Sequence, residues 1–161
     1  MSTTVASDAF REAAAAFGTG VAVITAQGSE GPAGLAVQSF ASLSLDPPYV
    51  TFSPSLTSAS WPLIRAAGRF AVNVLAHDQA ELSRRFATSG GDKFRATDWA
   101  PGDNGAPVLA GVLACFEAEL EAELPGGDHT IVIGRVTRAR SLRDAEPLLY
   151  FRRAYRRLVP A

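Results

Sequence analysis

The stretch FEAELEAEL at residues 116–124, continued by PGGDHTIVIGRVTRA at residues 125–139, decides the fold class. Positions 116, 118, 120, 122 and 124 are apolar, and positions 117, 119, 121 and 123 are glutamate. Strict period two marks a strand with one buried face. The four glutamates are therefore expected on a solvated sheet face, not around a metal. Residues 125–128 supply turn chemistry, and residues 130–139 are expected to return antiparallel.

Working outward, β-branched and apolar runs predict further strands at residues 21–26, 33–40, 41–45, 49–53 and 70–74. Asp46-Pro47-Pro48 forces a turn between two of them. Helices are expected at residues 8–17 behind Ser7, at residues 62–67 behind Ser60 or Trp61, and behind Asp78 as far as Phe86. Residues 87–106 exceed an ordinary connection, so a functional loop or an ordered excursion is expected there. Strands and helices do not alternate along the whole chain, which disfavours a doubly wound parallel sheet. The expectation is a mainly β protein: an antiparallel barrel with two or three covering helices. Residues 1–7 are expected as a flexible tail and residues 8–161 as a single domain.

The chain has 161 residues, 47% hydrophobic and 19% charged, a globular balance that excludes disorder. Fifteen basic residues against sixteen acidic ones give a net charge of −1, which argues against nucleic-acid binding as the main task. Lys93 is the only lysine. A single cysteine, Cys115, excludes an internal disulfide framework and a cysteine zinc site; it is expected as a small buried hydrophobe. Two histidines make a histidine-rich metal site improbable, and no metal is assigned. The N-terminus lacks a secretory pattern, and no apolar run reaches about 18 residues. A cytoplasmic protein without a membrane segment is expected.

Residues 53–60, SPSLTSAS, are rich in hydroxyls and precede a helix. Such a loop suits a phosphate, and it equally suits simple helix capping. The stretch 34–40, GLAVQSF, fits an ordinary strand better than an edge that binds a planar ligand. His129 stands beside a tight turn, where it can be a ligand contact or a solvated residue. Residues 151–157, FRRAYRR, interleave arginines with aromatics, as a phosphate-and-ring site or as an amphipathic terminus would. No Ser-His-Asp ordering or paired-carboxylate spacing supports hydrolysis.

Taken together, GVAVITA at 20–26, GLAVQSFASLSLDPPYV at 34–50, GRFAVNVL at 68–75, LSRRFA at 82–87, DKF at 92–94, APVL at 106–109, GDHTIVIGRV at 127–136 and PLLYFRRAY at 147–155 follow one another in a familiar order. From about residue 10 to 158 the chain resembles the flavin reductase-like family, the small reductase components of two-component flavin monooxygenases. The resemblance implies a split antiparallel β-barrel, a homodimer, FMN or alternatively FAD, and NADH or NADPH as reductant. It implies a partner monooxygenase that receives the reduced flavin. It also implies hydride transfer from nicotinamide C4 to flavin N5. By position, Ala36, Val37, Gln38 and Ser39 would lie along the isoalloxazine, with Ser42 assisting. Ser53, Pro54, Ser55, Ala59 and Ser60 would surround the ribityl chain and phosphate. Arg85 and Phe86 would approach from a helix end. His129 would contact nicotinamide, and the segment carrying Phe151, Arg152 and Tyr155 would close over it. Ala36 and Gln38 replace the hydroxyl residues common in the family, and Arg152 and Arg153 stand where glycines are common. Arginines filling the nicotinamide pocket would leave a flavin carrier without reductase activity; arginines beside it would recruit the 2′-phosphate of NADPH.

Overall fold

The computed structural model describes residues 5–159. The N-terminal helix α1 (Ser7–Ala15) includes Ser7 itself and follows Ala6, so Ser7 is not its cap. Residues 1–4 of the expected tail lie outside the described residues. Strands β1 (Thr19–Gly20), β2 (Ala22–Gly28), β3 (Gly31–Val37), β4 (Ala41–Leu45) and β5 (Pro48–Phe52) follow, close to the predicted runs. Helix α2 (Trp61–Ala67) leads to β6 (Arg69–Val74) and then α3 (Ala80–Ala87). Gln79, not Asp78, stands at the N-cap position of helix α3, and no side chain caps the helix there. Asp78 is held in a bidentate pair by Arg143 at 2.8 and 2.9 Å, which lowers its pKa below the usual carboxylate value.

The expected loop at 87–106 is an ordered excursion, in which β7 (Trp99–Pro101) pairs with β8 (Pro107–Leu109). The long hairpin of β9 (Ala114–Gly126) and β10 (His129–Ser141) comes next. The chain ends in the small hairpin β11 (Leu149–Phe151) and β12 (Ala154–Arg156), with β11 also pairing to β1.

Seven strands form one antiparallel sheet in the order β3-β2-β6-β9-β10-β5-β4. The sheet curls without closing, as a split barrel does. Register shifts after Ile133 and Val136 bend the β9–β10 hairpin, the usual effect of β-bulges. Inside the curl sit Ile24, Val50, Phe52, Phe70, Val72 and Val132. Phe52 meets Phe70 and Trp61 edge-on at 5.3 and 5.6 Å. Gly134 has a packing reason: a Cβ there would overlap the Phe70 ring. A second cluster, with Val23, Leu75, Phe86, Phe94 and Leu148, lies between the sheet and α3.

One part of the expected sheet face differs. Glu117 is 1% exposed, although its period-two position assigns it to solvent. The excursion between β7 and β8 covers it. Asn104 donates its backbone N–H to Glu117 Oε2 at 2.8 Å, and Arg140 Nη2 donates to Oε1 at 2.9 Å. Gly102 passes so close that a Cβ would lie 2.8 Å from the carboxyl carbon. Leu124, expected on the buried face, is 49% exposed near the hairpin tip. Cys115 is buried as expected, and burial, reinforced by Glu117, pushes its thiol up to about 11.

Arg152 and Arg153 form the tight turn between β11 and β12, with φ of 49° and 63°. Two successive positive φ values favour Asn-Gly at such a hairpin turn. The left-handed region costs a residue with a Cβ about 1–2 kcal/mol. Replacing Arg152-Arg153 by Asn-Gly is expected to stabilise the chain by about 1 kcal/mol net of glycine's added unfolded-state entropy. The expected rise in Tm is roughly 2–4 °C in a calorimetric scan.

Candidate functional site

A cavity of about 660 Å³ opens between the β3 edge, the 53–60 loop, α3 and the β11–β12 hairpin. That volume lies in the range of small-molecule sites. One wall is apolar: Leu35, Val37 and Phe86 line it, and Ala36 joins them from the β3 edge. The close seating of Phe86 depends on Gly34, where a Cβ would lie 2.6 Å from the ring. Gln38 and Ser39 continue this wall beyond the strand. Ser39 Oγ accepts the Ser53 backbone N–H at 2.8 Å and thereby ties the β3 edge to the start of the hydroxyl loop.

That loop lines the adjoining end of the cavity with Ser53, Pro54, Ser55, Thr57, Ser58, Ala59 and Ser60. Ser55 and Thr57 share a hydroxyl hydrogen bond of 2.9 Å, and the Thr57 N–H donates to Ser55 Oγ at 3.2 Å. The hydroxyl that meets the start of α2 belongs to Ser58, which accepts from Trp61 N at 3.2 Å. Ser60 makes no side-chain cap, so its hydroxyl remains at the cavity wall.

Lys93 lines the same wall. Its ammonium donates to Gly34 O at 3.2 Å and Phe86 O at 3.3 Å, and reaches Ser60 Oγ at 3.5 Å. Three elements of the cavity thus meet at one cation. Burial lowers the Lys93 pKa, because a half-buried ammonium loses hydration. Sequence reasoning assigned Lys93 no role; its being the only lysine, inside DKF, was the available signal.

Arg85 does not line the cavity. Its guanidinium donates to Ala96 O and, at 2.8 Å, to Thr97 Oγ1. Thr97 Oγ1 in turn donates to Lys93 O at 2.7 Å. Arg85 therefore fastens the turn that carries Lys93.

His129 stands at the cavity mouth, with 46% of its side chain exposed. Its Nδ1 lies 2.7 Å from Asp128 Oδ1, an interaction that lowers the Asp128 pKa. A bridge between Ser55 and His129, together with Leu56 N to Asp128 O at 2.9 Å, ties the hairpin tip to the hydroxyl loop. The opposite wall carries Tyr150 and Tyr155, packed edge-on at 5.2 Å. Tyr155 donates its hydroxyl to buried Ser83 at 2.8 Å, and Arg84 lies 5.0 Å over its ring. Tyr150 stands within PLLYFRRAY but was given no role there; its place between Leu149 and Phe151 on β11 was the available signal.

The structure does not bring Ser42, Phe151 or Arg152 to this cavity. Ser42 lies exposed on β4. Phe151 packs near Gly18 and beneath Arg152, whose guanidinium carbon is 5.1 Å from the ring centre. Arg152 and Arg153 line a separate hollow with Asp8 and Glu12 of α1.

These donors fit a flavin nucleotide. A flat apolar wall suits a fused ring, a row of hydroxyls suits a polyol and phosphate, and an ammonium suits the phosphate charge. Among the described residues no group of His, Cys, Asp or Glu is arranged to hold a metal. No helix of the described residues is long and apolar enough to cross a membrane.

Residues 14–159 match the family model described as a flavin reductase like domain. The chain is 43% identical over 151 residues to the reductase subunit HsaB of a flavin-dependent monooxygenase from Rhodococcus jostii (strain RHA1), covering 94% of this chain and 77% of that protein. It is 49% identical over 144 residues to the FMN reductase (NADH) SmoA of Agrobacterium fabrum, covering 89% and 82%. Among solved structures, the NADH:FAD oxidoreductase SgcE6 of Streptomyces globisporus C-1027, in complex with NAD and FAD fragments, superposes with a TM-score of 0.89 at 37% identity. That alignment covers 94% of this chain and 92% of the other.

Proposed function

Because this chain belongs to the flavin reductase-like family, we propose that it is an NADH-dependent flavin reductase that takes FMN and supplies reduced flavin to a partner monooxygenase. The observation that carries this is the cavity itself, with an apolar wall, a hydroxyl loop and the Lys93 ammonium at one site. HsaB is named as a monooxygenase subunit and SmoA as an NADH-dependent FMN reductase, which supports the same partner, flavin and reductant.

When bound, the flavin would supply the redox chemistry of hydride transfer. The chain supplies position. The Ala36–Ser39 edge would offer backbone groups and the Gln38 amide to the ring. Ser53, Ser55 and Ser60 would hold the ribityl chain and phosphate, and Lys93 would balance the phosphate charge. Phe86, Tyr150 and Tyr155 would help keep water out of the site. His129, at the mouth, would hold the nicotinamide amide and need move no proton. A site of this kind needs two rings held at about 3–3.5 Å, and no strong acid or base is required of the protein.

The test is to follow nicotinamide absorbance with purified protein and FMN, offering NADH and then NADPH. NADH consumption far above the protein-free rate is expected; bound flavin that NADH does not bleach would sink the proposal. His129→Ala is expected to raise the NADH KM more than it lowers kcat. A loss in kcat above about a hundredfold at unchanged KM would assign His129 to the transition state instead. One route to a flavin carrier was a nicotinamide pocket filled by Arg152 and Arg153; both line the hollow beside α1, and the bleaching assay above separates carrier from reductase.

Two further features belong to the same proposal. The molecule is read as a homodimer: none of α1 is buried, Phe10 and Phe17 are 66% and 78% exposed, and edge strand β4 leaves Leu45 92% exposed. The cytoplasm, where NADH is maintained, is the compartment assigned.

A further inference from the structure

Helix α3 buries two side chains on one face, Ser83 and Phe86, spaced three residues apart. Phe86 belongs to the apolar wall of the main cavity, and Ser83 lines the same cavity one turn earlier. A serine is a costly choice there. Inside a helix its hydroxyl competes with the backbone, and at 2% exposure it is cut off from water. The hydroxyl instead meets Tyr155, which donates to it at 2.8 Å. Arg84, the next residue of α3, lies 5.0 Å over the Tyr155 ring. One helix therefore grips this tyrosine at its tip and on its face.

Tyr155 belongs to the β11–β12 hairpin, which is otherwise attached to β1 and α1, and neither of these lines the cavity. β11 pairs with β1 over two residues, Tyr150 with Thr19 and Leu149 with Gly20. The turn is tied to α1 by Arg152 N, which donates to Ala15 O at 2.9 Å. Among the described residues, the bond to Ser83 is the one side-chain hydrogen bond made by residues 149–156. Two short strands hold no fixed place by themselves. Tyr150 packs edge-on against Tyr155 at 5.2 Å, so whatever fixes Tyr155 fixes both aromatic rings of this wall.

We infer that Ser83 is a positioning residue for the reductase reaction: through the Tyr155 hydroxyl it latches the β11–β12 hairpin to α3, as the wall against which the nicotinamide is seated. The inference rests on the reductase proposal above. A wall ordered before the ligand arrives spares the ligand the cost of ordering it. Without the Ser83 hydroxyl the hairpin keeps its backbone pairs, but its cavity side is free to swing, and part of the reductant's binding energy goes into recapturing it. Flavin binding does not share this dependence. Phe86, the hydroxyl loop and Lys93, which would hold the flavin, all lie outside the hairpin.

Ser83→Ala and Tyr155→Phe test the latch, because each removes one hydroxyl and little else. Alanine favours the helix, and phenylalanine keeps the ring beneath Arg84. Steady-state kinetics are measured with NADH and FMN, FMN affinity by flavin fluorescence, and amide exchange by mass spectrometry. Each variant is expected to raise the NADH KM about three- to tenfold, the worth of one hydrogen bond. Both kcat and FMN affinity are expected to stay within about twofold of the parent. The double variant is expected to be no worse than either single one, since the two hydroxyls form one bond. Amides of residues 149–156 are expected to exchange faster, with β9 and β10 unchanged. An unchanged NADH KM overturns the inference, as do additive effects of the two changes or an unchanged hairpin exchange. A kcat loss larger than the KM rise overturns it too, since Ser83 would then act on the reacting atoms. Equal loss of FMN affinity, or faster exchange throughout the sheet, reduces Ser83 to a general support of the fold and overturns it likewise. A parent protein that does not oxidise NADH with FMN fails the reductase proposal and this inference with it; an active parent with unaltered variants fails this inference alone.

Discussion

Lys93→Met is expected to weaken FMN binding by roughly ten- to a hundredfold while leaving riboflavin binding nearly unchanged. The magnitude follows from a hydrogen bond to a charged group, about 1.5–3 kcal/mol, converted at 1.4 kcal/mol per tenfold. Riboflavin lacks the phosphate, so the ratio of the two affinities isolates the charge from any general damage to the wall. That control matters because Lys93 also ties Gly34, Ser60 and Phe86 together. Equal losses for both flavins would reduce Lys93 to a brace. The pH dependence has a definite sign. Burial lowers the Lys93 pKa in the free protein, and a bound phosphate favours its charged form. FMN binding therefore takes up a proton at alkaline pH, and affinity falls as pH rises through the free-protein value. The FMN-to-riboflavin affinity ratio carries this dependence, because ionisation of the ring common to both flavins cancels in it. Titrating both flavins against wild type and Lys93→Met checks the sign and the assignment together.

Glu117→Ala is expected to destabilise the fold by about 3–5 kcal/mol, the loss found when one partner is removed from a buried ion pair. For a chain of this size that is on the order of 10 °C in Tm. The variant leaves Arg140 without its carboxylate and Asn104 N without its acceptor. Glu117→Gln keeps the shape and an acceptor oxygen, so a smaller loss is expected. Thermal unfolding of both, followed by circular dichroism, checks the order. If Glu117→Ala shifts Tm by less than about 2 °C, the contacts that pin the excursion contribute little.

Most of the strand plan was readable because it depends on local chemistry. Residues 22–26 and 70–72 are β-branched or apolar runs that favour strands, and Asp46-Pro47-Pro48 favours a turn. The hydroxyl loop was readable for the same reason: serines at its positions satisfy backbone groups wherever they fall. Glu117 was misread because alternation reports which side of the strand a residue faces, not what later chain covers that side. The cover comes from residues 102–106, a segment without strong periodicity. Arg85 and Lys93 show the same limit in the site. Arg85 sits on a helix end beside the cavity, but its reach is set by Ala96 and Thr97, which lie beyond an irregular turn. That turn also swings Lys93 back onto β3. Arg152 and Arg153 were placed near the nicotinamide by their position in the family resemblance. Their left-handed backbone turns them toward α1, and a sequence gives no direct sign of that rotation.

The walls of the main cavity come from residues near 36, 55, 86, 93, 129 and 150, which are distant along the chain. Such a site does not exist in any fragment and appears only after the non-local strand pairings close, the slow part of forming a β topology. A nascent or partly folded chain accordingly has nothing with which to capture flavin. Bound flavin leaves the rate of folding alone and acts on the opposite arm, slowing departure from the native state because the contacts it makes are absent from the transition state. The cofactor is thus a seal applied to finished molecules.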